Sequence, residues 1–124
     1  MRRDFDLIRQ ILFVAEGAKP EQRISLKDFE ERHADSLEEV SEHVQLLDRA
    51  GYLNATVSKE LSPNGPRQFF INRLEWAGHD YLDAVRDSGI WARTKERLGV
   101  VGGSASLEIV KAVAVKVVSE ALGL

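Results

Sequence analysis

The 124-residue chain has no cysteine. That excludes disulfides, thiolate nucleophiles and cysteine-type zinc sites, and it fits a reducing compartment. Long apolar runs are missing as well. The longest candidate, Leu107 to Leu122, is broken by Glu108, Lys111, Lys116 and Glu120, so no membrane span is expected. The opening MRRDFDLIRQ returns to charge at Asp4 and Asp6 and does not read as a secretory signal. A soluble cytoplasmic protein is the expectation. A basic excess is missing too. Net charge is −3; residues 1–50 carry 8 bases and 12 acids, and residues 51–124 carry 9 and 8. Neither part has the surplus that phosphate neutralisation favours. No internal repeat or low-complexity tract stands out.

Signatures of catalysis are equally scarce. The three histidines, His33, His43 and His79, have no metal-ligand spacing. The run GVVGGS at residues 99–104 follows no strand and has no lysine at the offset of a phosphate loop. No serine stands in a nucleophile motif. The expectation is a non-enzymatic protein with no cofactor and no metal.

What is present is a succession of well-marked elements. Asp4 can cap a helix in which Phe5, Ile8, Ile11, Leu12 and Ala15 recur at helical spacing, ended by Gly17 and Pro20. Arg23-Ile24-Ser25 suits a short strand, and Ser25 with Asp28 marks a short helix with Leu26 and Phe29 inward. Ser36 with Glu39 has the form of a capping box, giving Glu39 a local structural role. The stripe Leu37, Val40, Val44, Leu47 follows, and Gly51 is a natural left-handed terminator. Tyr52 to Leu61 and Gln68 to Leu74 read as two strands around the turn-rich Ser62-Pro63-Asn64-Gly65-Pro66. Helices are expected over Glu75 to Arg86, Ser88 to Leu98 and, capped by Ser106, through Ala121. Gly78 inside the first of these costs about 1 kcal/mol against alanine, a cost that a close backbone approach to the sheet would justify.

Helix, short strand, helix, capped helix, hairpin, helix is the order of a winged helix-turn-helix. The fold class read from the sequence is therefore α+β, mainly α, with such a core, a β-hairpin wing and extra C-terminal helices. Residues 1–98 form the expected domain, 99–105 a flexible joint, and 106–124 a C-terminal helix. In such folds the helix before the wing enters the major groove. Here its outer face presents Ser36, Glu38, Ser41, Glu42 and Gln45, and residues 28–42 hold seven acids against the single base Arg32. Lys59, Arg67 and Arg73 on the wing suit phosphate better. Of the two tryptophans, Trp91, near Arg93, is the better candidate for stacking on a base. The apolar arc Leu107, Val110, Val113, Val117 and Val118 either completes the core or pairs with its copy in a homodimer.

Longer motifs carry a family resemblance. The opening Arg3-Asp4-x-Asp6-Leu7-Ile8-Arg9-x-Ile11-Leu12 is similar to the start of a bacterial and phage family classed as a domain of unknown function. His43-x-x-Leu46-Leu47-x-x-Ala50-Gly51 resembles its middle, and Leu74-x-Trp76-x-Gly78-His79-x-Tyr81-Leu82-Asp83-x-x-Arg86 with Ile90-Trp91 its later part. The terminal Leu122-Gly123-Leu124 is like it too. The resemblance implies a small, often prophage-encoded protein and brings no catalytic residues. Two functional expectations stand side by side. One is a transcription-type regulator that contacts double-stranded DNA mainly through the wing. The other is a winged-helix module that binds a protein and not DNA.

Overall fold

A computed structural model describes residues 2–61, 65–100 and 105–124. Asp4 accepts the Leu7 amide at 3.1 Å and starts α1, Phe5–Glu16. Helical periodicity buries Leu7, Ile8, Ile11, Leu12 and Ala15 of α1 on one side. The chain then forms β1, Ile24–Ser25, and a 3-10 turn, Leu26–Phe29. Asp28 reaches back to the Ser25 amide at 2.8 Å, which closes that turn and points Leu26 and Phe29 inward.

A second 3-10 turn, Ala34–Ser36, runs into α2, Leu37–Arg49. The expected Ser36–Glu39 capping box does not form. Ser36 sits at ψ 27° rather than in the extended region that an N-cap needs, and its hydroxyl donates back to the His33 carbonyl at 3.4 Å. Glu39 is exposed, so its side chain adds to the acidic surface. Leu37, Val40, Val44 and Leu47 are buried, as their spacing predicts. Gly51 takes φ +83°. There the Tyr52 amide bonds to the Leu47 carbonyl at 3.0 Å and the Gly51 amide to that of Asp48 at 3.1 Å, the Schellman pattern that ends α2.

The wing follows as β2, Leu53–Leu61, and β3, Arg67–Leu74. They pair antiparallel, and β1 joins the other edge of β3, giving the order β1-β3-β2. Register irregularities lie between Asn54 and Ala55 and between Val57 and Leu61. At the first of them Asp48 of α2 accepts the Ala55 amide at 2.9 Å. Phe69 and Ile71 alternate inward and pack with the buried residues of α1, α2 and the first turn; Phe29 and Phe69 meet tilted, 6.0 Å between ring centres. Each fully buried side chain of this size stabilises the fold by roughly 1.5–3 kcal/mol. The arrangement is α+β, mainly helical, and winged-helix-like.

The helix α3, Trp76–Val85, comes next, then α4, Ser88–Gly99, capped by Asp87, and α5, Leu107–Ala121, capped by Ser106. Gly78 has the close approach that its place in a helix requires. A methyl group built on it lies 2.0 Å from the Tyr52 carbonyl oxygen.

Contacts divide the chain into Met1–His79 and Asp80–Leu124. By that division the 88–99 helix groups with the C-terminal helix, not with the wing. Residues 101–104 of the expected joint, and residues 62–64 of the expected turn, lie outside the described residues. In the second unit α4 and α5 pair, and Arg97 bonds to Glu120 across them. That hydrogen bond, more than the bare charge, holds the Glu120 carboxyl below its ordinary range and raises Arg97. Among the described residues no helix is long and apolar enough to cross a membrane.

Candidate functional site

Burying the leucine–valine stripe of α2 leaves the opposite stripe outward. Glu38, Glu42, Gln45, Leu46 and Arg49 recur at i, i+4, i+7, i+8 and i+11, so all five fall within about 100° of the helix circumference. The wing folds beside this stripe. Buried Ser41 fixes it there, donating its hydroxyl to the Arg67 carbonyl at 2.8 Å, and Gln45 donates to both the hydroxyl and the carbonyl of Ser41 at 3.3 Å. The result is an open cleft of about 540 Å3 between helix and wing. Glu38, Glu42, Gln45, Leu46 and Arg49 line it from α2, and Leu61, Gly65, Pro66 and Arg67 from the wing.

Charge in the cleft is ordered along the helix. Glu38 and Glu42 stand at the N-terminal end, level with Arg67, while Arg49 stands alone at the other end. Seven residues separate Glu42 from Arg49, about 10 Å along the axis. Between the charges lies apolar surface from Leu46, 40 % exposed, and Leu61, 65 % exposed. Among the described residues Glu38, Glu42 and Arg49 have no ion-pair partner.

The structure therefore brings together Glu38, Ser41, Glu42, Gln45 and Arg67, from two sets that the sequence kept apart. Ser41 is a correction to the expected outward face. It is buried and its hydroxyl is spent on the wing, because the wing closes over the middle of the helix. Ser36 lines a different hollow, of about 320 Å3, with Asp4, Asp6, Arg32, His33 and Glu39. Among the described residues no three histidine, aspartate or glutamate side chains are placed to hold a metal ion. The three wing bases do not form one patch. Lys59 and Arg67 lie toward the turn, whereas Arg73 stands opposite Asn54, six residues and about 20 Å along β3 from Arg67. Arg73 is also ion-paired with Glu75 at 3.0 Å.

Of the two readings of the α5 arc, burial within one chain fits the core-completing one. Leu107, Val110 and Val117 are buried within a single chain, and Val113 and Val118 are half-buried, so the arc does not offer a free face. The tryptophans are reversed. Trp91 is buried with Lys95 over its ring, and Trp76 is 82 % exposed. Leu46, Arg49 and Leu61 are members of the cleft that sequence reasoning missed. The helical spacing of Glu38, Glu42 and Arg49 held the signal for Arg49, but nothing local marks Leu61 before the wing is placed.

His43 has a structural position. It is buried, its Nε2 accepts the Asp4 amide at 2.9 Å, and its Nδ1 bonds the Glu39 carbonyl at 2.7 Å. A carbonyl only accepts and an amide only donates, so Nδ1 carries the ring hydrogen. The imidazole thereby ties the start of α1 to the first turns of α2.

These features define the class: a winged-helix-like α+β chain whose helix before the wing forms one wall of a cleft. The chain belongs to the family described as Hypothetical protein (DUF2513), which matches residues 2–104. It is 34% identical over 122 residues to an uncharacterized protein of Haemophilus influenzae, covering 98% of this chain and 99% of that one. No solved structure matches.

Proposed function

We propose that this chain is a non-enzymatic protein-interaction module that keeps a winged-helix-like core and docks its partner in the cleft between α2 and the wing. The observation that carries the reading is the use made of the helix that reads DNA in related architectures. Its central hydroxyl, on Ser41, is buried on the Arg67 carbonyl, and what remains outward in its first turns is Glu38, Glu39 and Glu42. Carboxylates facing phosphate are repelled, and like-charge juxtaposition costs several kcal/mol. A protein segment with an apolar anchor and charges of both signs suits the same surface without that penalty.

Lys59 and Arg67 near the turn are the observation that favours DNA contact through the wing. The two readings separate in one titration. A labelled mixed-sequence duplex is titrated with the full chain at low and at moderate salt. The protein-docking reading expects no saturable binding at low salt. Micromolar affinity that falls with salt, and is abolished by Lys59→Glu with Arg67→Glu, overturns it in favour of the wing-contact regulator.

A further inference from the structure

The outward stripe of α2 is self-complementary, and from it we infer that the partner in the cleft is a second copy of this chain, its α2 laid antiparallel on the first about a two-fold axis at Gln45 and Leu46. The inference rests on the protein-docking reading and names its occupant. Along the stripe the order is acid, acid, amide, leucine, base: Glu38, Glu42, Gln45, Leu46, Arg49. Reversed on itself about Gln45 and Leu46, this order brings Glu42 of each copy level with Arg49 of the other. It also sets Leu46 against Leu46 at the centre. A two-fold interface demands that one patch meet itself in this way.

Charge balance supports the same occupant. In one copy the Glu38–Glu42 end has two carboxylates and the single base Arg67, and the far end has Arg49 with no ion-pair partner among the described residues. Antiparallel pairing adds the partner's Arg49 to the acidic end, twice over. Each end then holds two acids and two bases. A parallel arrangement places like charges together and leaves the imbalance. Leu46 and Leu61, both exposed in a single copy, provide the apolar centre from each side. The facing stripe runs only from residue 38 to residue 49, about 16 Å of helix, so the contact belongs to the small, transient class with micromolar affinity.

The test is sedimentation of the full chain over a wide concentration range at low salt. Wild type is expected to pass from monomer to dimer in the micromolar range. Glu42→Arg and Arg49→Glu each turn two attractive pairs into two repulsive ones and are expected to weaken the dimer about tenfold or more. The double variant restores the pairing with the charges exchanged, and its dimer should return toward wild type. All of these positions are exposed, and circular dichroism checks that each variant folds. Because the chain has no cysteine, Leu46→Cys adds a geometric readout. Mild oxidation should link it into a covalent dimer, since a disulfide needs the two Cα atoms within about 7 Å. A chain that stays monomeric, a dimer indifferent to both single changes, or a double variant no better than the singles overturns the inference. The duplex titration separates this failure from that of the broader reading. A monomer without DNA affinity refutes self-pairing alone, whereas salt-sensitive DNA binding refutes protein docking itself.

Discussion

Gly78→Ala reverses the ordinary expectation for a helix interior. Alanine is the better helix former by about 1 kcal/mol, so propensity alone predicts a gain. The structure predicts a loss. The added methyl lies 2.0 Å from the Tyr52 carbonyl oxygen and 3.0 Å from the carbonyl carbon, so methyl and oxygen must separate by about 1.4 Å to reach ordinary contact. Neither atom is the end of a flexible side chain. Tyr52 is fixed on one side by the hydrogen bond that its N–H donates to the Leu47 carbonyl in the α2 terminator, and its own carbonyl accepts the Glu75 amide at 3.1 Å. Overpacking of this kind costs about 1–3 kcal/mol. Moving the carbonyl also strains or breaks the Glu75 bond, about 1 kcal/mol more. Set against the propensity gain, the net expectation is a destabilisation of about 2 kcal/mol. At this chain length that corresponds to a fall in Tm of roughly 8 °C. Thermal and urea unfolding followed by circular dichroism measure it. Gly99→Ala is the control, because nothing lies within 4 Å of its added carbon; it should be neutral or slightly stabilising. If Gly78→Ala matches or exceeds wild type, the close approach of α3 to Tyr52 is wrong.

Three further outcomes follow from the packing. His43→Leu leaves the Asp4 amide and the Glu39 carbonyl without the ring, and should destabilise the fold by about 2 kcal/mol in urea unfolding; an unchanged midpoint refutes the imidazole as a tie between α1 and α2. The Glu120 carboxyl is held low first by its hydrogen bond from Arg97, so it favours the folded state above its ordinary range, and this contribution is lost as pH falls through the lowered value. Glu120→Gln should therefore differ from wild type at neutral pH and low salt and converge with it in acid, by a small amount because the pair is exposed; a difference independent of pH contradicts the pairing. Finally, Trp76 should give a fluorescence component open to quenching by iodide that Trp76→Phe removes, leaving the protected Trp91; strong quenching after that substitution would show the burial of the two rings to be reversed.

The elements legible in the sequence were those whose signal is local. The leucine–valine stripe of α2, the Asp4 and Ser106 caps and the left-handed Gly51 each state a backbone requirement within a few residues. Ser36 shows where local reading stops. Its capping box has the right letters, but the 3-10 turn before it delivers the chain at ψ 27°, and the hydroxyl faces backward to His33. The apolar arc of α5 shows another limit. Sequence gives its width, but whether neighbours within the chain already bury it depends on packing that no periodicity states. The cleft was the least legible feature, because its two walls lie about twenty residues apart in the sequence. Ser41 decides its character. A serine on an outward helical face reads as a contact for a base until the wing is placed, and then a single 2.8 Å bond to the Arg67 carbonyl removes it from the surface. With Ser41 and the amide of Gln45 engaged, that face of the helix is left with carboxylates, Leu46 and Arg49. On the protein-docking reading the acidity of α2 is one half of a charge pattern whose other half, Arg49, lies two turns away on the same helix, and the proposed antiparallel pairing of two copies would bring the halves together.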